Sequence, residues 1–166
     1  MIRFKWVQNL HMRILMATTA VALCLCACAL AGDQARILKV LPQLLDKAGQ
    51  NSRLPGLLDR DVYQANLRKN PGEVGGMQFA VQWRVRQTFK KPVVLRLEVI
   101  GLSVSNQPVS IIIEQQVKSR GFLGMGQWSY FKIGAEEYRK LNVISAWHVS
   151  LLSDSKVLAE QRSFLW

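Results

Sequence analysis

The sequence predicts a mostly β fold: an antiparallel sandwich of six to seven strands, preceded by a short helical or extended N-terminal segment. Three observations carry this. From Met77 onward apolar and polar residues alternate with period two. The alternating runs are short and separated by turn residues. All three cysteines lie before Leu30, so neither a disulfide nor a cysteine–metal site is available to the rest of the chain, and a packed core must hold it. The chain divides into residues 1–31 as an export signal, 32–76 as an N-terminal extension and 77–166 as the sandwich domain.

The first segment is read from its charge and hydropathy. Arg3, Lys5 and Arg13 are the only charges before Asp33, Ile14 to Leu30 are apolar or small, and Ala29-Leu30-Ala31 precedes Gly32-Asp33. A basic start, a short apolar run and a small-x-small site make a secretory signal peptide. Cleavage after Ala31 releases a soluble protein starting at Gly32. Alternatively, Leu25-Cys26-Ala27-Cys28 resembles a bacterial lipobox, which makes Cys28 a lipidation site. A third route, an uncleaved anchor, has an apolar run slightly short of the ~20 residues a span needs. Met12, followed by Arg13, offers a second start with the same consequence. The expected location is therefore the periplasm or outer envelope, with the membrane met only through the signal or a lipid anchor. The whole chain carries 22 Lys+Arg against 11 Asp+Glu, and removing three bases with the signal (22 − 3 = 19) leaves a strongly basic remainder.

In the extension, Ile37 to Leu41 and Leu44-Leu45 have apolar residues at roughly helical spacing, with Asp33 as a cap and Pro42 as a limit. This stretch is expected not to be a strand. Gly49 to Pro55 reads as loop. Asp59 to Lys69 reads as a short helix capped by Asp59, with Val62, Tyr63 and Leu67 on one face and Asn70-Pro71 as its stop. Gly72 to Gly76 reads as a turn.

Strands follow. Met77, Phe79, Val81, Trp83 and Val85 alternate with polar or small residues in the first, and Val93, Leu95, Leu97 and Val99 with Arg96 and Glu98 in the second. Val109, Ile111, Ile113 and Val117 oppose Ser110, Glu114 and Gln116 in the third, and Trp128 to Ile133 form a fourth. Ala135 to Leu141 fit one helical turn crossing between sheets. Val143 to Leu152 and Val157 to Trp166 complete the set, joined by a hairpin turn at Ser153-Asp154-Ser155-Lys156. The inward phase is Phe79, Val81, Trp83, Leu95, Leu97, Ile111, Ile113, Trp147 and Val149.

This strand count and spacing over Met77 to Trp166 resembles the immunoglobulin-like and fibronectin type III class. The resemblance implies a core tryptophan, for which Trp83 is placed, and a corner tyrosine, for which Tyr138 is placed. The cysteine pair of antibody domains is absent. The pattern is also similar to short exported bacterial proteins, a likeness that implies no activity.

The chemical inventory argues against catalysis. His148 is the only histidine after the signal and lies mid-strand, where a satisfied or surface role competes with that of a base. No Gly-x-Ser-x-Gly elbow and no His/Cys zinc motif occur, and Gly121, Gly124 and Gly126 do not match a phosphate-binding loop. Glu98, Glu114, Glu136 and Glu137 are not spaced as a recognisable acid pair. No cofactor is expected. Two binding candidates stand out. Arg84, Arg86, Lys90, Lys91 and Arg96 gather around the expected first hairpin, with Lys118 and Arg120 beyond; they form either a solvated face or an adhesive patch for an anionic envelope surface. Phe122, Leu123 and Met125 make a glycine-rich loop apolar, so it either covers the core or is a contact tip. Trp83, Trp128, Trp147 and Trp166 serve the core or a sugar-stacking platform. Nucleic acid is excluded on compartment grounds. The expected function is a noncatalytic cell-envelope module that binds another envelope protein; the alternative is a module for glycans or anionic ligands.

Overall fold

The computed structural model describes residues 35–86, 92–118 and 126–166. The expected export signal with Cys28 lies outside the described residues, as do Lys90, Lys91, Phe122, Leu123 and Met125. Among the described residues seven strands are present: β1 (Ala35–Asp46), β2 (Val74–Val85), β3 (Val93–Leu102), β4 (Pro108–Val117), β5 (Gln127–Gly134), β6 (Val143–Ser153) and β7 (Lys156–Arg162). Helix α1 (Leu57–Lys69) joins β1 to β2 through a short 3₁₀ turn at Pro71–Glu73, and α2 (Ala135–Lys140) joins β5 to β6. All pairings are antiparallel. One sheet has the order β1-β2-β5 and the other β4-β3-β6-β7. This is an immunoglobulin-like sandwich in which the fourth strand sits beside the third.

The period-two alternation resolves into an inner and an outer face for each sheet. Phe79, Val81, Trp83, Phe131 and Ile133 from the first sheet meet Val93, Leu95, Leu97, Val99, Val149 and Leu151 from the second, all fully or almost fully buried. Ile111, Ile113 and Trp147 pack against this core and are partly buried, as their phase predicts. The indole N–H of Trp83 donates to Ser129 Oγ at 3.0 Å, so the largest buried side chain leaves no orphan donor. Trp83 enters from the second strand. Tyr138 lies on α2, in the connection between β5 and β6 where a corner tyrosine belongs, and packs against the core. Burial pushes its hydroxyl pKa up, and the hydroxyl has no hydrogen-bond partner among the described residues. The β6–β7 turn has positive φ at both Asp154 and Ser155, the geometry of a two-residue type I′ hairpin.

Two expectations are corrected. Ala35–Asp46 is a strand, not a helical stretch. Its alternation is disguised by register shifts between Ile37 and Lys39 and between Leu45 and Asp46, which bring apolar residues onto both phases. Pro42 is compatible because β1 is an edge strand, where a missing N–H breaks no ladder. The second correction concerns α1. It begins at Leu57 with Gly56 as N-cap, so Asp59 lies within the first turn. Val62 faces solvent, while Gln64 and Leu67 are buried.

Candidate functional site

The strand-to-sheet assignment rearranges the expected basic cluster. β2 and β3 belong to different sheets, so Arg84 and Arg96 do not flank one hairpin. Arg96 lies on the outer face of the four-stranded sheet, opposite Glu114 in register, and its guanidinium meets Glu114 Oε1 at 2.6 Å through both Nε and Nη2. Glu98 Oε1 is 3.8 Å from its Nη1. Arg96 is thus neutralised where it sits and leaves the adhesive patch.

The same outer face holds His148, whose Nε2 lies 3.2 Å from Glu160 Oε2. Its ring is tilted against Trp166, centroids 4.9 Å apart. Trp166 is brought there by a tight C-terminal turn: Ser163 N–H donates to the Trp147 carbonyl at 2.9 Å, and Ser163 Oγ accepts from Trp147 N–H at 3.0 Å. His148 is a satisfied surface histidine on a sheet face. Among the described residues no group of three or more His, Cys, Asp or Glu side chains is placed to hold a metal ion.

Arg84 belongs to the outer face of the three-stranded sheet. Register places Arg36 directly beside it; the next rows are Lys39–Gln82–Trp128, Leu41–Ala80–Tyr130 and Gln43–Gln78–Lys132. Arg86 follows Arg84 in the same phase and is exposed. From Arg36 to Gln43, Gln78 to Arg86 and Trp128 to Lys132 no residue is acidic. Arg36, Lys39, Arg84 and Lys132 make no ion pair among the described residues, and Arg84 Nε is buried without a hydrogen-bond partner. Two like charges side by side across a strand pair weaken the sheet. Beside them stand Trp128 and Tyr130, two residues apart on edge strand β5. Their rings are within 15° of parallel, with centroids 6.5 Å apart, and they are 41% and 54% exposed. Of the four tryptophans singled out by sequence, Trp83 and Trp147 serve the core, while Trp128 and Trp166 stand on outer faces.

A further surface was not foreseen. α1 is fastened to the edge of β1 by polar side chains, Gln64 foremost. Gln64 Oε1 accepts from Leu44 N–H at 2.7 Å, and Gln64 Nε2 donates to the carbonyls of Leu44 and Asn51, each at 2.9 Å. Its amide thus occupies strand-edge groups that would otherwise be open to another chain. Tyr63 adds a second clamp, its hydroxyl donating to Asp46 Oδ2 at 2.6 Å. Asp46 Oδ1 accepts from the backbone N–H groups of Ala48 (2.9 Å) and Gln50 (2.8 Å), and Arg53 lies 5.4 Å from the centroid of the Tyr63 ring. The Tyr63 hydrogen bond, then that from Gln50, holds the Asp46 carboxyl below its ordinary pKa, and the carboxylate in turn raises that of Tyr63. With this side anchored, Leu54, Leu58 and Val62, at four-residue intervals, point away from the sandwich at 59%, 77% and 63% exposure. They line a shallow groove with Arg53 and Lys69 at its margins.

No family model and no curated protein matches the chain. Among solved structures it is similar to an immunoglobulin-like protein from Pseudomonas aeruginosa, at 15% identity and a TM-score of 0.36, covering 80% of this chain and 96% of that one.

Proposed function

We propose that this chain is a noncatalytic module of the cell envelope that binds a protein partner through the outer side of α1. One observation carries the reading: Leu58 and Val62 on α1, with Leu54 just before it, form an exposed apolar strip beside the side chains of Gln64 and Tyr63, which fasten the helix to β1. Fully burying one Leu or Val stabilises by about 1.5–3 kcal/mol, and a pre-positioned helix loses little entropy when a partner covers it. The export signal at residues 1–31 supports an envelope location, and the absence of a recognisable catalytic motif in the sequence supports a binding role. The contact tip expected at Phe122, Leu123 and Met125 lies outside the described residues.

The test is capture from a solubilised envelope fraction with the exported protein as bait, comparing wild type with the double change Leu58→Ser and Val62→Ser. Both side chains are exposed, so the melting temperature should hold while the captured partner is lost. Equal capture by both proteins contradicts the reading.

A further inference from the structure

We infer that the outer face of the β1-β2-β5 sheet is a binding site for an acidic polysaccharide, separate from the α1 strip. Two independent features converge on it. The first is chemical: Trp128 and Tyr130 present adjacent, nearly parallel rings from an open edge strand. The C–H faces of sugar rings are apolar and stack on such aromatic surfaces, and their hydroxyls remain in water. The second is electrostatic. Arg36, Lys39, Arg84 and Lys132 share the outer face with the ring pair, and the three strands contribute no acid to it over the spans named above. A cross-strand Arg36–Arg84 pair is a local destabilisation that a bound anion relieves. Arginine guanidinium suits carboxylate and phosphate geometry, so the charge on the sugar is one of these groups.

Cations and aromatics together are also how single-stranded nucleic acid is held. The export signal favours the sugar, since an envelope protein meets acidic polymers rather than nucleic acid. A bare anionic membrane would use the cations but has no sugar ring to stack on Trp128.

The experiment follows Trp fluorescence of the purified exported protein during titration with a uronic-acid oligosaccharide, tetragalacturonate, at low and high salt. Parallel titrations use neutral cellotetraose, phosphatidylglycerol vesicles and a single-stranded oligonucleotide. Tetragalacturonate should bind at least tenfold more tightly than cellotetraose. Trp128→Ala should weaken binding roughly tenfold, equivalent to ~1.4 kcal/mol, at both salt concentrations, and Trp128→Phe should restore most of it. Arg36→Gln with Arg84→Gln should weaken binding chiefly at low salt, where screening is least. The Leu58→Ser, Val62→Ser protein should bind the sugar as wild type does, so this site and the α1 strip stand or fall separately. The inference is overturned by no binding of tetragalacturonate, by equal binding of cellotetraose, by a Trp128→Ala protein that binds normally, or by tighter binding of the vesicles or the oligonucleotide.

Discussion

At the scale of single residues, Trp83 is the largest fully buried side chain of the core. Trp83 is predicted inward by its phase and is 1% exposed. Its replacement by Ala should cost about 3–5 kcal/mol, from lost burial plus the cavity left behind, read as a shift in the urea midpoint at unchanged slope. Ser129→Ala should cost about 1–3 kcal/mol by leaving the Trp83 indole N–H unpaired. Tyr63 and Asp46 make a pH prediction with two signs. The Asp46 carboxyl is lowered in the folded state, so its contribution is present above about pH 4 and is lost as pH falls through the folded value. The Tyr63 hydroxyl is raised, so its contribution is present below about pH 10 and is lost as pH rises through the folded value. Tyr63→Phe should make both losses shallower in denaturation series at acid and alkaline pH. The acid loss should not vanish, because Gln50 and Ala48 still donate to Asp46. An unchanged pH profile in the variant would contradict the clamp.

At the scale of elements, strands β2 to β7 are readable because the large apolar residues of each fall mostly on one phase of the strand. β1 is not, for two physical reasons. Its register shifts break the alternation, and Leu45 on its second half is buried although Ile37 and Val40 set a different phase. α1 is readable as a helix but not in its orientation. Apolarity points Val62 inward, yet the free edge of β1 needs a donor and an acceptor, and Gln64 supplies both while Val62 can supply neither. Gln64→Ala should therefore destabilise the domain by roughly 1–3 kcal/mol and expose the β1 edge to pairing. Hydrogen exchange at the Leu44 amide should accelerate in this variant more than exchange in β3 or β6. Uniform acceleration would mean that α1 is not a local clamp.

At the scale of the whole molecule, the basic excess was legible but its distribution was not. Sequence neighbours Arg84 and Arg96 diverge because the chain changes sheets between β2 and β3, and Arg96 is neutralised by Glu114 across a register only the fold creates. Arg36, Lys39, Arg84 and Lys132, which make no ion pair among the described residues, lie on the β1-β2-β5 face with Trp128 and Tyr130, while the exposed apolar side chains of α1 are held at the β1 edge. Sandwich and helix thus present two chemically distinct surfaces from one rigid core. Arg84→Gln with Arg86→Gln should reduce retention on a cation-exchange or polyanion matrix more than Arg96→Gln, which removes a charge already matched by Glu114. Equal losses would contradict the partition.

We propose that the protein works by docking through α1. The direct test is the amount of envelope partner captured by the Leu58→Ser, Val62→Ser protein relative to wild type, with the melting temperatures of both measured alongside. The account predicts a melting temperature close to wild type and loss of the partner; undiminished capture, or unfolding of the variant, would contradict it.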